Sequence, residues 1–142
     1  MCGIAGVITR DPHDHGSVVD GQLAVLDHRG PDAHGRFEAG CATIGQTRLA
    51  IIDLVTGDPP ITNEDRSVVA VLNGEIYNYR QLREELARSG HTFASHGDTE
   101  VIAHLAEDLP PIELARRLVG MFAFAVWDER RRRLVLGRDR VG

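Results

Sequence analysis

Apolar positions along this chain fall into short blocks with two distinct repeats. The stretch 2–9, CGIAGVIT, is a run of small and β-branched residues and predicts a buried strand. The run 67–78, SVVAVLNGEIYN, predicts a second, strongly buried strand that passes into Asn73-Gly74. CATIGQTRLAIIDL (41–54) predicts strand material with a break at Gly45, and HTFAS (91–95) predicts a short strand. MFAFAVWD and RLVLGRD, joined by ERRR, predict a hairpin. Elsewhere apolar residues recur at helical spacing. Val18, Leu23 and Leu26 do so within 17–28, and Leu82 and Leu86 within YRQLREELARSG. Two further helices are predicted over 98–109 and at PIELARRL.

The polar blocks between them carry turn chemistry. Residues 11–16, 29–35 and 56–66 read as loops, and Pro31, Pro59 and Pro60 cannot serve a regular ladder. Asn78 followed by Gln81 resembles a capping box, and Gly90 is a helix stop. Acidic residues open the helix at 98–109, where the helix dipole favours them. Pro110 ends that helix, and Pro111 suits the first turn of the next. No repeat, low-complexity tract or linker divides the chain. The hairpin is antiparallel, and the strands are hydrophobic enough to be covered on both faces. The pattern predicts one mixed α+β domain over 1–142.

Composition narrows this further. A chain of 142 residues, 42% hydrophobic and 26% charged, can bury an ordinary single-domain core. A net charge of −5 argues against nucleic acid or an anionic membrane as partner. No apolar run has the length of a membrane span, and the N-terminus lacks the basic and apolar regions of a signal peptide. The cytoplasm is the expected compartment. Two cysteines, Cys2 and Cys41, are too few for a disulfide framework, and no CxxC spacing is present. His13-Asp14-His15 reads as a solvated loop, so no metal site is expected. Arg130 to Arg133 sit at a hairpin tip of an acidic chain and read as a solvated turn.

The candidate chemistry starts at Cys2. Removal of Met1, favoured by a small second residue, would leave a thiol and a free α-amino group on one residue. An α-amino group titrates at about 7.7–8.0 and suits general-base work near neutral pH. Nucleophile and base would then need no separate histidine. The plainer reading of such a cysteine is a small buried residue near a terminus. Asn73-Gly74 reads either as a turn after a strand or as two donors converging on one oxygen. Arg48 is either a solvated strand residue or a fork for a carboxylate. Asp98 suits an N-cap as well as a binding role.

Six ordered blocks decide among these readings. MCGIAGVI, HRGPDAHG, GQTRLAIIDL, NGEIYNY, GDTEVI and GMFAFAVWD…GRDRVG span the chain. Together they resemble the glutaminase domain of class II glutamine amidotransferases, in the branch of glutamine-hydrolysing asparagine synthetases. The resemblance implies an N-terminal-nucleophile hydrolase fold, a four-layer αββα sandwich of mainly antiparallel sheets. It implies hydrolysis of L-glutamine to glutamate and ammonia through a thioester on Cys2. Asn73 and Gly74 match the oxyanion hole, and Arg48 matches the position that holds the α-carboxylate. Glu75 and Asp98 match positions near the α-amino group, and Ile51 matches a backbone contact to substrate. His28, within HRGPD, takes no catalytic role.

Two departures accompany the resemblance. Many relatives carry His where this chain has Gln46, which bears on fine tuning of the pocket. The SGGLDSS-type pyrophosphate loop of the synthetase half does not occur in these residues. The expectation is therefore a C-terminally incomplete glutaminase domain, with the synthetase domain in cis in a parent enzyme. ATP and magnesium would belong to that absent domain, and this chain would hold no cofactor. The ammonia would amidate aspartate. A different acceptor, or a non-catalytic glutamine-binding or interaction module, are the alternatives, and homodimer formation stays open.

Overall fold

The hydrophobic runs pair into two antiparallel sheets in the computed structural model, which describes all of residues 1–142. The elements in chain order are β1 (Gly3–Ile8), α1 (Gly16–Leu26), β2 (Ala33–Ala39), β3 (Ala42–Arg48), β4 (Ile61–Thr62) and β5 (Val68–Ile76). They are followed by α2 (Tyr79–Arg88), α3 (Thr99–Asp108), α4 (Pro111–Arg117), β6 (Gly120–Asp128) and β7 (Arg133–Arg138). One sheet has the order β1-β3-β2, the other β4-β5-β6-β7.

The two-residue repeat of β5 explains the layering. Val69 and Val71 meet Ala42, Ile44, Ala125 and Trp127 between the sheets. Val68, Ala70 and Leu72 point the other way, onto Leu82 and Leu86 of α2, Val101, Ile102 and Leu105 of α3, and Leu114 of α4. On the far side, α1 lies on the first sheet with Leu23 over Gly45 and Leu26 over Gly3. The order of layers is helix, sheet, sheet, helices, which is the expected αββα sandwich. No helix is long and apolar enough to cross a membrane.

Several expected elements are corrected. Gly45 does not break β3: it seats Leu23, whose Cδ1 would stand 2.8 Å from a Cβ added there. The strand predicted over 41–54 ends at Arg48, and the rest is loop. β2 starts inside the loop expected at 29–35 and runs on through 36–39, where no element was expected, because AHGRFEA carries one large apolar residue, Phe37. The two-residue β4 lies inside the loop predicted at 56–66. HTFAS is not a strand: the Ala94 and Ser95 N–H groups donate to Glu100 at 2.8 and 2.7 Å. Asn78 makes no capping bond. Its amide instead donates to Arg117 O at 2.9 Å and accepts from Val119 N–H at 3.0 Å, clamping the α4–β6 connection. Gly90 does stop α2, at φ +107°.

Candidate active site

The apolar layer between the sheets turns polar at one end, and strand periodicity dictates how. On β3, Ala42 and Ile44 are followed on the same face by Gln46 and Arg48. On β5, Val69 and Val71 are followed by Asn73 and Glu75. Cys2 precedes Ile4 in the same alternation. A small cleft opens there, lined among others by Cys2, Arg48, Ile51, Gly74, Glu75 and Asp98. Asn73 lines an adjoining cavity that shares Cys2, Ile51, Gly74 and Glu75 with this cleft. All seven residues singled out from the sequence therefore meet at one end of the inter-sheet layer. Cys41 does not: it stands before the opposite end of β3, where its Sγ lies 3.5 Å from Arg10 O.

Cys2 is held by its main chain. Gly3 pairs with Thr47 and its N–H donates to Thr47 Oγ1 at 3.0 Å, which brings Cys2 beside the end of β3. The Leu49 N–H donates to Sγ at 3.4 Å. Arg29 Nε donates to the Cys2 carbonyl at 3.0 Å. Arg29 is a positioning residue that the sequence reading missed, although it lies in the HRGPD block.

The edge of β5 next to Cys2 is open, because β4 pairs only with Val69 and Ala70. Along that edge the Leu72 N–H donates to Gln46 Oε1 at 2.9 Å, and the Ile76 N–H donates to Asp98 Oδ2 at 2.8 Å. The strand repeat puts the Gly74 N–H on the same edge, between these two satisfied donors. Gly74 has φ +143°, and a Cβ there would lie 2.1 Å from Met121 O, so only glycine fits. The Asn73 side chain is likewise uncommitted: its Oδ1 is buried without a partner.

Arg48 is buried and already engaged. Nη1 donates to Asp58 Oδ1 at 2.8 Å, and Nη2 donates to the carbonyls of Ile52, at 2.9 Å, and Asp53. Gly57 makes room for this guanidinium, since a Cβ there would lie 2.4 Å from Nη2. Asp53 pins the 49–57 loop over the cleft by accepting from Thr56 N–H at 2.9 Å and from His96 N–H at 2.7 Å. Burial would raise its carboxyl pKa, but these hydrogen bonds prevail and hold it below the usual range.

The opposite wall is acidic. Asp98 precedes α3 but makes no side-chain cap; it turns to Ile76 instead. Burial pushes its carboxyl up, against the Ile76 N–H and the charge of Arg48. The Glu75 carboxyl is pushed up by burial and by the nearby Asp98. Two carboxylates raised in this way, with no cation paired to Glu75, favour a bound positive charge.

Residues 1–142 match the family described as Glutamine amidotransferase domain. The chain is 38% identical over its whole length to asparagine synthetase [glutamine-hydrolyzing] 2 of Bacillus subtilis, covering 19% of that protein. It is 41% identical to asparagine synthetase [glutamine-hydrolyzing] 1 of Arabidopsis thaliana, again over its whole length, covering 24% of the relative. The chain thus spans about a fifth to a quarter of these curated relatives. Among solved structures it shares its fold with glutamine phosphoribosylpyrophosphate amidotransferase from B. subtilis. There the TM-score is 0.69 at 20% identity, over 91% of this chain and 35% of the other. The chain belongs to the glutamine amidotransferase domain family.

Proposed function

We propose that this chain hydrolyses L-glutamine to glutamate and ammonia, with Cys2 as the nucleophile. The observation that carries this reading is the convergence in one cleft of Cys2, Gly74 on the open edge of β5, an arginine and two carboxylates of raised pKa. Arg48 receives the substrate's α-carboxylate. Asp58, 68% exposed in its side chain, is the acceptor that this carboxylate displaces. Glu75 and Asp98 receive the α-ammonium group, and the backbone at Ile51 borders the substrate. The side-chain amide then points at Cys2.

With Met1 removed, the Cys2 amine takes the thiol proton as sulfur attacks the amide carbon. The amide oxygen gains negative charge, which the Asn73 Nδ2 and the Gly74 N–H stabilise. The amine passes its proton to the departing nitrogen, and ammonia leaves behind a glutamyl thioester. Water, deprotonated by the same amine, cleaves the thioester and restores the thiol. In the whole protein the ammonia goes to a synthetase domain that amidates aspartate in the cytoplasm, with ATP and magnesium bound there. Glutamate release by the full parent, measured beside glutamine binding, tests the reading. Cys2→Ala is expected to remove release and keep binding. Unchanged release would refute it.

A further inference from the structure

Four side chains that the proposed reaction does not use meet along the second half of α3. Glu64 follows β4, His91 follows α2, and His104 and Glu107 stand on α3 itself. One donor atom from each lies within 4.8 Å of all the others. Glu64 Oε1 is 3.0 Å from His91 Nδ1, and Glu64 Oε2 is 3.3 Å from His104 Nδ1. The other nitrogen of each ring faces a carboxylate. His91 Nε2 is 3.0 Å from Asp108, and His104 Nε2 is 3.6 Å from Glu100. Asn63 Nδ2 donates to Glu107 Oε2 at 2.8 Å and fixes that side chain.

His104 is the informative member. It is 0% exposed, and its two ring nitrogens stand only beside the Glu64 and Glu100 carboxylates, without a well-formed hydrogen bond to either. The Phe93 ring stands edge-on to it, with centroids 4.5 Å apart, and closes its apolar side. A buried imidazole whose nitrogens make no well-formed hydrogen bond is costly, and a cation held between Nδ1 and the Glu64 carboxylate would satisfy it. A metal-bound histidine hands its remaining ring nitrogen to a carboxylate, which is the arrangement of both rings here.

We infer that Glu64, His91, His104 and Glu107 form a divalent-cation site of the zinc class. Two imidazoles and two carboxylates suit a borderline ion and balance its charge, whereas calcium and magnesium prefer oxygen alone. Bonds of about 2.0–2.2 Å put tetrahedral donors about 3.4 Å apart, so the four would draw together around the ion, with Glu107 exchanging its contact with Arg130 Nη1, now at 3.5 Å, for the metal. This departs from the expectation of no metal site, which weighed only the His13-Asp14-His15 loop. The ion would tie the 63–64 loop, the segment after α2 and α3 into one unit. Glu100, one turn before His104, accepts from Ser95 N–H and Oγ at 2.7 and 2.5 Å, and Ser95 lines the cleft. The site would thus brace one wall of the cleft, and the inference does not depend on the proposed reaction.

Metal-stripped full chain, titrated with Zn²⁺ against a chromophoric chelator, tests it. The expected result is one Zn²⁺ per chain, with a rise in melting temperature. Glu64→Gln keeps an acceptor for the Thr92 N–H, which sits at 2.8 Å, and should weaken zinc binding more than about tenfold. His104→Gln should do the same; if it fails to fold, the rim variant Glu64→Gln decides. His13→Ala should change nothing. With Co²⁺, the visible bands of nitrogen and oxygen ligation are expected. No competition for zinc would overturn the site. So would a sulfur-to-cobalt band, or binding that survives Glu64→Gln and disappears in Cys2→Ala or His13→Ala.

Discussion

Gln46 Oε1 accepts the backbone N–H of Leu72 at 2.9 Å, across the gap between the two sheets. This bond silences the donor two residues before Gly74 on the open edge of β5. A neutral imidazole also offers an acceptor, so Gln46→His should keep both fold and activity. Gln46→Leu should strand the buried Leu72 N–H at a cost of about 1–3 kcal/mol. Chemical denaturation of the two variants separates them, and equal stabilities would contradict the role given to this bond.

Asn73 carries a buried oxygen with no partner, so its side chain does little for the fold. Its amide strengthens its hold on the substrate oxygen only as charge develops. Asn73→Ala should lower kcat by about 10²–10³ with little change in KM, the usual penalty for losing one such donor. The melting temperature should be unchanged or slightly higher. A large fall in melting temperature with kcat intact would make Asn73 a structural residue.

Glu75 and Asp98 predict opposed effects on stability and binding. A carboxyl whose pKa rises on folding stabilises the fold while protonated, and loses that contribution as pH climbs through the folded-state value. Once ionised, both groups therefore oppose folding. Glu75→Gln should raise the melting temperature at neutral pH, and the gain should vanish in acid. The same variant should raise KM for glutamine about tenfold or more, because it removes an ammonium partner. For wild type, kcat/KM should fall on acidification with a midpoint above the ordinary carboxylate range. A pH-independent KM would contradict these roles.

Arg48 and Asp58 predict a competition. Asp58 occupies a guanidinium donor that the substrate's carboxylate needs. Asp58→Asn should lower KM for glutamine a few-fold. Arg48→Lys should raise it strongly, since an ammonium cannot serve two carbonyls and a carboxylate as a fork does. Glutamine saturation curves for the pair decide the matter; a higher KM in Asp58→Asn would reverse the assignment.

The sequence disclosed some of this and concealed the rest for physical reasons. β5 was legible because its apolar run is long, and the cleft residues because they lie in compact motifs. β2 was hidden because Phe37 alone marks it among small and charged residues. Gly35 on that strand exists to admit the 56–66 loop: a Cβ there would lie 1.7 Å from Pro59 O. Asn78 and Asp98 read as caps because local pattern suggests a local partner, whereas each bonds a distant backbone group. Arg29, Asp53 and Asp58 act through contacts that no spacing rule encodes. The same holds for Glu64, His91, His104 and Glu107, which only the packing of α3 brings together.

The most direct test of the account is the mass of the protein after reaction with a glutamine-shaped electrophile, followed by peptide mapping. The chain has one thiol in the cleft, Cys2, and one remote from it, Cys41. The account predicts one adduct per chain, on Cys2, in molecules that have lost Met1, with protection by L-glutamine. An adduct on Cys41, or full glutaminase activity in molecules that retain Met1, would contradict it.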